Sequence, residues 1–259
     1  MTTAVNDAIR DQLSQFRSRI DPLERVVAAF SASLPPPIFY HSGQEHYGYR
    51  YANPDARHFC LLKAVRAISA LNAMIPLADG GFAQEIGVLV RTMIECTTHI
   101  EFVLDALDEN NLLTPDVERY IRSFFADFAR NSSADFKRAR VRQGDVHQRL
   151  GATLDKISKE AGEVVSHTTA EQMYSNVYLT FSNYVHAKYP EIMDLYGGVP
   201  GHFHLNGMQG TPKVEENLRI IDAFIDTAAI TLKLMVSKLR LHPLLETDRG
   251  LSIWFRSAI

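Results

Sequence analysis

Cysteine is nearly absent from this chain: Cys60 and Cys96 are the only two in 259 residues. A scaffold held by disulfides needs several paired cysteines, so that class is excluded, and a reducing compartment is the expectation. Both thiols fall in apolar stretches, where a free cysteine behaves as a small buried hydrophobe. There is no excess of charge of one sign either. A formal net charge of -3 and an isoelectric point of ≈ 6.4 remove any global attraction to nucleic acid or to an anionic membrane and leave only local patches. Uncharged apolar runs of membrane-spanning length are missing too. The longest candidates, around 82–104 and 218–239, are interrupted by Arg91, Glu95, Asp222, Asp226 and Lys233. The first residues carry scattered charges and lack the apolar centre of a secretory leader. The expectation is a cytoplasmic chain without a membrane partner. No G-x-G-x-x-G, P-loop, G-x-S-x-G, H-E-x-x-H or C-x-x-C motif occurs, which removes support for nucleotide-fold, serine-hydrolase and zincin chemistry.

What the chain does have is a hydrophobic fraction of 46%, spaced mainly at three and four residues, the period of one helical face. Val5, Ile9, Leu13, Phe16 and Ile20 form the first such stripe. Asp21-Pro22 then reads as a cap and first-turn proline restarting a helix to about Leu34, where Pro35, Pro36 and Pro37 end it. Residues 38–53 concentrate Phe39, Tyr40, Tyr47, Tyr49 and Tyr51, predicting an ordered aromatic loop. Helices are predicted at about 55–78, 82–108, 115–140, 145–160, 170–187 and 213–240, separated by Asp79-Gly80-Gly81, Thr114-Pro115, Gly144-Asp145 and a loop from Gly197 to Pro212. Either Thr168 or Thr169 can open a capping box. His242-Pro243 ends the last long helix, and the tail holding Leu251, Ile253, Trp254 and Phe255 is too apolar to be left in water. The prediction is one all-α domain over residues 1–259: an antiparallel bundle of about six helices, its core within 55–240, the segment 1–34 peripheral and 241–259 docked.

Two helices carry polar groups in apolar surroundings. Arg91, Glu95 and His99 stand at successive four-residue steps among Ile86, Val90, Met93 and Ile94. A charge buried on such a face needs a partner, because its desolvation costs several kcal/mol. In the later helix Tyr178, Ser182 and His186 follow the same step, offering a hydrogen-bonding face with an imidazole near the helix end.

The segment GVLVRTMIECTTHIEFVL followed by VYLTFSNYVHAKYPE resembles a family of uncharacterised bacterial all-helical proteins that pair an Arg-x-x-x-Glu helix with a later Ser-x-x-x-His helix. The resemblance rests on Arg91, Glu95, Ser182 and His186 and spans about residues 55–240. The general look is similar to HEPN-like bundles, many of which are ribonucleases or nucleotide-binding partners in stress and phage defence. That resemblance implies Arg91, Glu95, Ser182 and His186 as catalytic residues, with Arg91 stabilising phosphate, His186 as acid–base, and His99 and Tyr178 beside substrate. It further implies RNA or a nucleotide as partner, metal-independent chemistry without a cofactor, and a homodimer. HEPN nucleases also place an arginine and a histidine on one helix with four to six residues between them. Here only Arg140 and Arg142 precede His147 in that way, with Gly144-Asp145 between them.

Other readings remain open. Arg91, Glu95, Ser182 and His186 equally suit a non-catalytic interaction module whose buried network fixes helix register. Glu95, His99 and His186 could ligate a metal, as could His202 and His204, although no metal site is assigned. The basic stretch from Arg119 to Arg149 suits a solvated helix face as well as nucleic acid. Tyr40, Tyr47, Tyr49 and Tyr51 could line a ligand pocket.

Overall fold

The computed structural model describes residues 3–42, 46–107, 112–125, 146 and 170–257. Over these residues the fold is all-α, with nine helices and one two-stranded hairpin. The predicted helix at 145–160, most of the basic stretch, the Arg140/Arg142–His147 pairing and the Thr168/Thr169 caps lie outside the described residues.

Helix α1 (Thr3–Ala32) is one continuous element, not two. Pro22 lies inside it, where its missing amide and its ring ordinarily break a helix at a cost of about 3 kcal/mol. The stripe of Phe16, Ile20, Leu23, Val26 and Phe30, all at most 2% exposed, runs past the proline without a phase break. Each of those side chains contributes about 1.5–3 kcal/mol on burial, so packing outweighs the local stop signal. Asp21, expected as a cap, instead faces Arg25 at 3.6 Å. Helix α1 shares the core with the helices that follow.

Residues expected to form an aromatic loop make an antiparallel hairpin, β1 (Ile38–Ser42) with β2 (His46–Arg50), in which Phe39 stands opposite Tyr49. Their rings meet edge to face at 5.5 Å. Helix α2 (Ala56–Asp79) follows, opened by Asp55, whose carboxylate accepts from the Arg57 and His58 amides. His58 occupies the place that glutamate or glutamine usually fills in a capping box, and its ring nitrogen returns to Asp55. By length and composition α2 could cross a membrane, and half of its apolar window is buried. Phe59, Leu61, Leu71 and Met74 are among the buried side chains, and the helix packs against α1, α3 (Ala83–Asp105) and the last long helix.

Helix α4 spans Pro115–Phe125, α5 Ala170–Val185, α6 Tyr189–Met193 and α7 Pro212–Lys238. Arg19 ties α1 to α7 through Asp222 and, at 2.6 Å, Asp226. The loop before α7 closes on the α2–α3 turn, where the Met208 amide donates to the Gly81 carbonyl at 2.7 Å. Gly207, at φ +93, has a position where a Cβ would lie 2.0 Å from the Gly80 oxygen, so only glycine permits that closure. Pro243 opens α8 (His242–Glu246) rather than merely stopping α7, and α9 (Arg249–Arg256) follows. The tail docks as expected: Leu245 and Leu251 are buried, and Arg25 of α1 pairs with Asp248.

Candidate functional site

Helix α5 lies across α3, and two contacts define its direction. The Arg91 guanidinium sits 3.7 Å from the centroid of the Tyr178 ring. Earlier on α3, Gly87 faces Tyr184, and a Cβ there would lie 2.5 Å from that ring. As α3 runs from Gly87 to Arg91, α5 therefore runs from Tyr184 back to Tyr178, so the helices are antiparallel at this contact. Phe181 stacks on Tyr184 at 6.0 Å and meets Phe224 of α7 edge to face at 6.0 Å. Gly87 is the residue the spacing argument missed. A glycine inside an apolar helix marks a place where another element approaches closely.

Arg91 is the centre of the cluster. It donates to Glu95 at 3.0 Å, and its side chain is only 12% exposed, whereas that of Glu95 is 43% exposed. The guanidinium is thus held between a carboxylate and an aromatic face, an arrangement that gives it partners in place of water. Glu95 is not the interior group expected. Each four-residue step on a helix drifts about 40° around the axis; Arg91 stands at the flank of the stripe containing Met93, Ile94 and Thr97, and the step carries Glu95 further round, away from it. From there its charge still reaches inward. Burial first, and then Glu95 and Cys96, push the Tyr120 phenol up. Burial also pushes the Cys96 thiol up, opposed by Lys63, reinforced by Glu95 and opposed again by Arg66.

His99 lies still further along α3, 7% exposed, its ring against Tyr120 at 5.5 Å. Tyr120 also meets Phe59 and Phe102, at 5.5 and 5.6 Å, so His99 belongs to an aromatic junction of α2, α3 and α4. Ser182 is half-buried and His186 exposed, linked through the His186 amide donating to the Ser182 carbonyl at 3.1 Å. His186 is two turns beyond Tyr178, about 12 Å along the axis, toward the Gly87 end of α3. Glu95 and His99 extend the opposite way. The antiparallel packing therefore separates the three groups weighed as metal ligands, and among the described residues no cluster of three histidine, cysteine, aspartate or glutamate side chains is placed to hold a metal.

The remaining candidates disperse. His202 and His204 lie with their rings 5.1 Å apart in a loop bridged by Tyr196 and Phe203. Tyr49 is 68% exposed, and Tyr51 packs on His58 at 4.5 Å, so these two tyrosines do not converge on one pocket. Arg119 faces Asp116 of its own helix at 3.5 Å.

The fold is thus an all-helical bundle whose central polar feature is an arginine clamped between two helices. A family of unknown function, DUF5677, matches residues 57–199. The chain belongs to that family, and the match takes in α2 through α6 with Arg91, Glu95, Tyr178, Ser182 and His186. No curated protein and no solved structure matches the chain.

Proposed function

We propose that this chain is a self-associating helical module, its contact face formed by the outer side of α5, by α6 and by the loop after it. One observation carries the reading: between residues 177 and 205 large apolar side chains remain in water, with Leu205 79%, Tyr189 77% and Leu179 59% exposed. Single exposed apolar residues are ordinary, but a concentration of them marks a contact surface. Tyr189, Met193, Tyr196 and Phe203 supply the aromatic and methionine content typical of interface centres. The charges within the face are of both signs: Lys188 is exposed beside Tyr189, Glu191 lies on α6, and Asp194 is paired with Lys213 at 3.0 Å, so the face carries no excess of one sign to repel a second copy. The Arg91 clamp then acts as a positioning device that fixes α5, and with it the face, on α3.

The catalytic reading, a HEPN-like metal-independent enzyme acting on RNA or a nucleotide in stress or defence, has one observation in its favour. His186 is exposed beside this face, and self-association brings two copies of it toward one interface. Within one chain Arg91 is engaged by Tyr178 and stands apart from His186, so reaction at a single phosphate needs groups from both copies.

Light scattering across a wide concentration range tests the first reading. The wild type should be dimeric and the Tyr189→Asp/Leu205→Asp double variant monomeric with unchanged circular dichroism. A wild type that stays monomeric overturns it. Cleavage of oligoribonucleotides in chelator by the wild type and not by His186→Ala supports the catalytic reading, and an inert wild type removes it.

A further inference from the structure

The loop after α6 contains a short regular element. The Gly197 amide donates to the His202 carbonyl at 2.9 Å and the His204 amide to the Leu195 carbonyl at 2.8 Å, so 195–197 and 202–204 pair as an antiparallel ladder centred on the Tyr196–Phe203 bridge. Alternate residues of an extended segment point to opposite faces. Tyr196 and Phe203 therefore share one face, their ring centroids 5.4 Å apart, and His202 and His204 share the other.

Opposite His202 stands Gly197, where a Cβ would lie 2.0 Å from the His202 Cδ2. The imidazole thus occupies the space that any other side chain at that position would fill, and close approach to a glycine backbone fixes where the ring lies. The His204 ring is beside it, centroid to centroid 5.1 Å. Two imidazoles on one tetrahedral ion hold their nitrogens about 2.0–2.1 Å from it, which sets their ring centres roughly 5 Å apart. The pair has that spacing without an ion, and His202 is exposed and His204 half-buried, so an ion can reach them from water.

The ladder supplies two of the four ligands that a tetrahedral zinc ion takes, and its surroundings indicate where the other two come from. Val199, Phe203 and Leu205, on and beside the same ladder, are 55%, 43% and 79% exposed, so the histidines lie within the face assigned to self-association. A two-fold contact sets the same residues of both copies against each other. We propose that a zinc ion binds between two copies of this chain, held by His202 and His204 of each. The inference rests on the self-association reading and adds to it a metal at the contact.

Zinc chloride is the probe, with chelator to remove it and cobalt(II) as a spectroscopic substitute. At one zinc ion per two chains, light scattering should show the dissociation constant of the dimer lowered at least about tenfold relative to chelator. Cobalt(II) should give the intense visible absorption of a tetrahedral site, saturating at one ion per two chains. His202→Ala and His204→Ala, their folding checked by circular dichroism, should each remove the zinc effect and the cobalt spectrum. The wild-type stoichiometry decides the matter even if a variant misfolds. A chain that dimerises equally in zinc and in chelator and takes up no ion overturns the inference and leaves self-association standing. One that is monomeric in both overturns both. One ion bound per monomeric chain, or a zinc effect that survives in both folded histidine variants, also overturns the shared site.

Discussion

Arg91 offers the sharpest test of how α5 is held. A cation on an aromatic face contributes about 0.5–1 kcal/mol when exposed and about 2 kcal/mol when desolvated. With Arg91 only 12% exposed, the upper part of that range applies, so its coupling to Tyr178 should be about 1–2 kcal/mol. The Arg91–Glu95 pair is different, because Glu95 is 43% exposed and a half-solvated pair at this helical spacing contributes only about 0.3–0.5 kcal/mol. Urea unfolding of Arg91→Met, Tyr178→Leu and the double variant should therefore give a coupling energy of about 1 kcal/mol or more. Glu95→Gln should cost about 0.5 kcal/mol or less, and that cost should shrink in high salt. Arg91 and Tyr178 should keep their coupling there. A coupling indistinguishable from zero refutes the clamp. A loss of about 3 kcal/mol in Glu95→Gln would show instead that Glu95 is half of a truly buried pair.

Gly87→Ala reverses the usual expectation: alanine gains about 1 kcal/mol of helix propensity, yet its Cβ would lie 2.5 Å from the Tyr184 ring, so the melting temperature should fall, and a rise would contradict the docking of α5. Asp55→Ala should lower stability by about 1 kcal/mol near neutral pH through loss of the cap. Partial burial works to raise the Asp55 carboxyl, but the hydrogen bonds from the His58 side chain and backbone and the Arg57 amide outweigh it and hold it below its ordinary value. A depressed carboxylate stabilises above its unfolded pKa and loses that contribution as pH falls through the folded one, so wild type and variant should converge below about pH 3.9. A difference that persists in acid would exclude this linkage. Cys60 and Cys96 are 0% and 4% exposed, and burial pushes both thiols up, so a thiol reagent should modify them only as the protein unfolds, and rapid labelling at neutral pH would place them elsewhere.

Local spacing by itself determined the helices α2, α3 and α7, the closeness of Arg91 to Glu95, the burial of both cysteines and the docking of the tail. These depend on the helical period and on apolar residues leaving water, and both are properties of short segments. The departures came where a distant segment outweighed a local signal. Pro22 stayed inside α1 because its neighbours on the buried stripe had α2 and α7 to pack against. The hairpin went unread because its alternation runs through tyrosine and histidine rather than through aliphatic residues. At the candidate site, Arg91, Tyr178, Ser182 and His186 were each visible as polar groups on apolar helices, but their grouping was not. Only the tertiary structure decided that α5 runs antiparallel to α3, so that Tyr178 covers Arg91 while His186 lies toward the other end. The register between two helices so far apart in sequence is chosen by the joint packing of Gly87, Tyr184, Phe181 and Phe224, and spacing along either helix carries no information about it.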